Sequence, residues 1–161
     1  MTTRLLLSTL VRDEPKLAKA LTAIRESALE IWAEQAMRTF TAHGEDHFAQ
    51  VETNLDRLCV HLQETDARLN SHEIFVLLAA CYLHDIGMQS DEPNARAEHA
   101  QFAYELILYS SAQIGPELRK VTLPIPDDNW RRAIVHIARA HWTQFAVELP
   151  EMDFIFGNGD C

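Results

Sequence analysis

Leu83-His84-Asp85-Ile86-Gly87 sets two metal-capable side chains next to each other at the end of an apolar run, residues 74–83. Neighbouring residues on a helix point about 100° apart, so His84 and Asp85 can serve one ion only near a helix end. Gly87 reads as the stop of that helix. The apolar run implies that the pair is at least half-buried, where a carboxylate without a partner is costly and a divalent cation is an efficient one. His47, His99 and His141 also fall on apolar helical faces. A single histidine on such a face is more often a hydrogen-bonded core group than a ligand. Four of them on four different predicted helices, one followed by Asp, fit an internal metal site assembled by converging helices.

The elements that must position these residues are helical. Asp13-Glu14-Pro15 predicts a helix start, and Leu17, Leu21, Ile24, Ala28, Ile31 and Trp32 recur at threes and fours up to about residue 40. After the break at Thr41-Ala42-His43-Gly44, a second helix is expected over 45–64. Val51, Leu55, Leu58 and Leu62 form its buried stripe, with His47 facing the core on the same stripe. Asn70 and Glu73 stand as an N-cap and its N3 partner for the third helix, which delivers His84 and Asp85. A fourth helix, 95–111, sets His99 on a face with Phe102, Ala103 and Leu106; a fifth, 129–145, follows a cap at Asp127 or Asp128. There His141 shares the face of Ile134, Ile137 and Ala138, while His136 lies about 140° away, so periodicity favours His141 as the inward residue. His43 stands in a loop, where a contact to a ligand and a plain loop role are equally open, and His61 and His72 read as solvent or capping positions. No convincing strand precedes the tail, and the reading is an all-α single domain.

Composition narrows the function. The 161 residues carry 14 basic and 24 acidic side chains, a net charge of −10 with no basic patch longer than Arg131-Arg132. That balance repels nucleic-acid backbones. Three cysteines, Cys59, Cys81 and Cys161, are widely spaced, as in a reducing compartment. The longest apolar run is half of what a membrane span needs, and residues 5–11 are too short for a secretory signal. The expected location is the cytoplasm, with no nucleic-acid or membrane partner.

His47-Phe48-Ala49-Gln50-Val51, then Leu83-His84-Asp85-Ile86-Gly87, Glu98-His99-Ala100 and Ile137-Ala138-Arg139-Ala140-His141, in that order, resemble the HD superfamily of metal-dependent phosphohydrolases. Thr41-Ala42-His43-Gly44-Glu45-Asp46-His47 resembles most the branch associated with chaperone-like GHKL ATPases. The resemblance implies an HD-type helical bundle over residues 41–161, with residues 1–40 as a helical extension packed on it. It implies that His47, His84 and Asp85 hold a first divalent ion and that His99 and His141 belong to a second. Mn, Fe, Co, Ni or Zn would suit these nitrogen and oxygen ligands. His84 and Asp85 would be the catalytic pair, with Asp85 orienting a metal-bound water or taking its proton. The expected activity is hydrolysis of a nucleotide or another small phosphate ester. The alternatives are a non-catalytic metal- or nucleotide-sensing domain that regulates an attached or partner GHKL-type ATPase, and a helical interaction domain whose histidines are core groups. The family pattern closes its first site with an aspartate on a later helix. Past His141 the chain offers Glu148, Glu151, Asp153 and Asp160, none on a convincing helix. The expectation is therefore a bundle lacking its last helices, poorly active by itself.

Overall fold

Pro15 turns the first corner of the chain. The residue before a proline is pushed out of the helical region, and Glu14, at φ −138° and ψ 72°, ends a first helix, α1 (Leu5–Asp13), that periodicity did not predict. Pro15 itself is the first residue of α2 (Pro15–Ala33), where a missing N–H costs nothing. The computed structural model describes residues 4–33, 44–89, 94–109 and 123–140. His43, His141 and the tail beyond it fall outside them.

The remaining helices are α3 (Glu45–Cys59), α4 (Ser71–Leu83), α5 (Ala95–Tyr109) and α6 (Asp128–Ala140), with short 3₁₀ turns at Leu62–Glu64 and Ile86–Gln89. No strand occurs among the described residues, and the architecture is an all-α bundle. No helix among them is long and apolar enough to cross a membrane.

α4 is the axis. It buries Ile74, Phe75, Val76, Leu78, Ala79, Ala80, Tyr82 and Leu83, residues that point all round the helix, as expected of one enclosed by others. α1, α2, α3 and α6 all pack on it, and α5 closes against α6 and the Ile86–Gln89 turn. Its start is the predicted capping box: Asn70 Oδ1 accepts from the N–H groups of His72 and Glu73, and Glu73 accepts from the Asn70 N–H at 2.8 Å. Asp127, of the two candidates, caps α6, accepting from the N–H groups of Asn129 and Trp130. Between α5 and α6, Leu123 and Ile125 are buried while Pro124 and Pro126 are exposed. Arg131 ties this segment to α5 by donating to the carbonyls of Leu123 and Ile107.

α3 departs from the expected pattern. It ends at Cys59 rather than near residue 64, and Leu58 and Leu62 are 73% and 41% exposed. The buried positions are Phe48, Glu52 and Cys59, so the core-facing stripe is rotated from Val51, Leu55, Leu58 and Leu62. A carboxylate occupies its centre, which is why an apolar count selects the wrong face.

Candidate metal centre

His47 lies in the first turn of α3, three residues past the N-cap Gly44. His84 is the C-cap residue of α4, still helical at φ −58° and ψ −37°. Asp85 opens the 3₁₀ turn that follows, its carbonyl accepting from the Met88 N–H at 2.9 Å. The start of one helix thus meets the end of another, and the imidazoles of His47 and His84 stand 5.8 Å apart between ring centres. One ligand atom each from His47, His84 and Asp85 lie within 4.8 Å of one another, and all three side chains are sheltered from solvent.

Local geometry prepares the donor atoms. His84 Nδ1 lies 2.8 Å from the Cys81 carbonyl, which can only accept, so Nδ1 carries the proton and Nε2 is turned to the centre. Nε2 is 3.0 Å from Asp85 Oδ2. Burial pulls the His84 pKa down, but the Asp85 carboxylate and the Cys81 carbonyl push it up and prevail. Asp85, 9% exposed, uses its other oxygen, Oδ1, toward His99 Nε2 at 3.5 Å. One carboxylate therefore stands between two imidazoles on different helices. Ligands held at about 2.1 Å from one ion are at most about 4.2 Å apart, so the His47, His84 and Asp85 atoms need only a small side-chain adjustment to share one. Two imidazole nitrogens and a carboxylate oxygen are a fitting donor set for a borderline divalent ion.

Gly87 is not the left-handed helix stop that its position suggests. Its backbone lies outside the left-handed region, and a Cβ there would come 2.0 Å from the His99 carbonyl oxygen and 2.6 Å from the Ala103 nitrogen. The missing side chain lets the backbone of α5 touch the turn after Asp85, which brings His99 to the carboxylate. Ala103 and Leu106 are buried beside it and Phe102 is half-buried, on the predicted inward face.

His136 lies in a cleft lined by Tyr104, Leu108, Tyr109, Asp128, Arg132 and Val135. Burial and the nearby Arg139 lower its pKa. His61 and His72 are exposed, and His72 meets the edge of Trp130.

A helical bundle with a His-Asp pair at a helix end and a histidine from a second helix facing it defines an HD-type domain. A model of the HD-CE family matches residues 37–157, and the chain belongs to that family. α1 and α2 precede the match. Neither the curated proteins nor the solved structures compared with the chain give a match.

Proposed function

We propose that this chain is a metal-dependent phosphohydrolase acting on a nucleotide or another small phosphate ester. The observation that carries the reading is the meeting of His47, His84 and Asp85 within 4.8 Å in a sheltered site, in a chain of an HD-type family. His47, His84 and Asp85 would hold a divalent transition ion, and His99, with His141, a second. The ion, when bound, lowers the pKa of a coordinated water and polarises a phosphoryl oxygen. The chain's own contribution is to hold His84 in one tautomer through Cys81 and to offer Asp85 as the group that orients the attacking water or accepts its proton. The net charge of −10 disfavours a polyanionic nucleic acid and leaves a small substrate. On this reading the chain works in the cytoplasm, attached to or beside a GHKL-type ATPase, the setting that the 41–47 segment suggests.

The test is elemental analysis of purified protein followed by turnover of a panel of nucleoside phosphates and phosphodiesters with Mn²⁺, for the wild type and Asp85→Ala. Metal at one or two ions per chain and hydrolysis lost in Asp85→Ala support the proposal. Metal without turnover selects the sensing domain instead. Absence of metal at any concentration tried, with intact fold, overturns both.

A further inference from the structure

The metal reading leaves unexplained why α3 buries a carboxylate. Glu52 is 3% exposed and lies five residues after His47 on α3; Tyr82 lies two residues before His84 on α4. The Tyr82 hydroxyl donates to Glu52 Oε1 at 2.6 Å in a buried hydrogen bond. Phe48, the neighbour of His47, packs its ring on Tyr82 at 5.1 Å. Three contacts therefore run along the α3–α4 seam: imidazole on imidazole, ring on ring, hydroxyl on carboxylate.

We infer that the Glu52–Tyr82 pair is a positioning device for the centre, fixing α3 against α4 so that His47 meets His84 and Asp85; the inference rests on the metal reading. Apolar burial does little to hold α3 in register against α4. Its buried apolar residues are Phe48 and Cys59 alone, with Leu58 in solvent. Apolar contact is non-directional, and a slip of one residue along a helix moves a side chain about 1.5 Å and turns it about 100°, enough to take His47 away from its partners. A short buried hydrogen bond allows no such slip. Specifying register is the best-attested use of buried polar groups.

A buried carboxylate must also be neutralised. The Arg4 guanidinium, just before α1, meets Glu52 Oε2 at 2.9 Å, at an angle that makes it an ion pair rather than a hydrogen bond. Arg25 of α2 stands 3.7 Å from Oε1. One turn further along α3, Asp56 caps α1, accepting from the N–H groups of Leu5 and Leu6 at 2.8 and 2.9 Å. The two helices that precede the family match thus complete the α3 side of the centre.

The experiment is a Co²⁺ titration of the full chain followed by visible absorption, whose band shape and intensity report coordination. Tyr82→Phe removes the donor and keeps the ring. It should weaken Co²⁺ about ten-fold, the low end for loss of a supporting group, and alter the bands. Asn70→Ala, at the far end of α4, should lower the melting temperature without moving affinity or spectrum, which separates positioning from general stability. If Tyr82→Phe alone does not fold, Tyr82→Phe/Glu52→Gln removes the buried charge together with the hydroxyl, leaves an amide oxygen for Arg4 and Arg25 to meet, and should show the same weakened binding. Wild-type affinity and spectrum in a folded clamp variant would overturn the inference. A wild-type chain that takes up no Co²⁺ overturns the metal reading instead. The clamp is then decided by the NMR cross-peak between the His47 and His84 rings in the metal-free protein, whose persistence in the double variant would refute it and whose loss would support it.

Discussion

Gly87→Ala puts the packing around the centre to its sharpest test. A Cβ at Gly87 would lie 2.0 Å from the His99 oxygen, 2.6 Å from the Ala103 nitrogen and 2.9 Å from the His99 carbonyl carbon. All three are backbone atoms of α5, so no side chain can swing aside. Opening the shortest contact from 2.0 Å to an ordinary 3.4 Å asks α5 to retreat by about 1.4 Å, close to the rise of one helical residue. Overpacking of this kind costs about 1–3 kcal/mol, and a rigid backbone neighbour argues for the upper end. Against it, replacing glycine by alanine where φ is compatible stabilises by about 0.4–1 kcal/mol through the unfolded chain. The balance is a loss of about 2 kcal/mol. In a chain of this size that lowers Tm by about 4–8 °C. The assay is thermal melting of the metal-free protein, with urea unfolding as a second measure. The same retreat would take His99 beyond ion-pair distance of Asp85, from which it stands 3.5 Å. A Gly87→Ala protein that melts at or above the wild-type temperature would refute the close-approach argument and leave Gly87 as a spacer.

Other consequences follow from the site and its supports. Mn²⁺ or Co²⁺ at 100 times its dissociation constant should stabilise the wild type by about 2.7 kcal/mol; His84→Ala should largely abolish that shift and His61→Ala, at an exposed position, should leave it, as thermal melts with and without metal would show. Asp56→Ala should cost about 0.5–2 kcal/mol, the range for loss of an N-cap, read by urea unfolding, because it strips the acceptor from both Leu5 and Leu6. Burial pushes the Cys81 thiol up to about 12 and raises that of Cys59 as well. At pH 8 about one Cys81 in 10,000 is then a thiolate, so peptide mapping after iodoacetamide should find both unmodified in native protein and alkylated after unfolding.

Much of the bundle was legible because its local signals agree with its packing. Asn70 and Glu73 spell a capping box, Pro15 marks the first residue of α2, and the spacing of His99, Ala103 and Leu106 gives the inward face of α5. The meeting of His47 with the His84-Asp85 pair was expected from the order of the motifs, not from the apolar stripe of α3, which is rotated from the face that α3 buries. α1 was not: Leu6 and Leu10 are two buried residues on a nine-residue helix, too short a pattern to separate from chance.

What the residues determine by themselves is therefore the donor chemistry, two imidazoles beside a carboxylate, and the helices that carry it. The face of α3, the work of Gly87 and the partners of Glu52 were decided only by tertiary structure. A stripe is read by counting apolar residues, and Glu52 is charged; nothing local says that Tyr82, Arg4 and Arg25 will arrive from three other helical segments to hold it. Likewise a glycine near a helix end looks like a stop until the backbone of α5, twelve residues further on at His99, is seen against it. Contacts between distant segments set the free energy of burying a charge or omitting a Cβ, and the distance along the chain carries no trace of them.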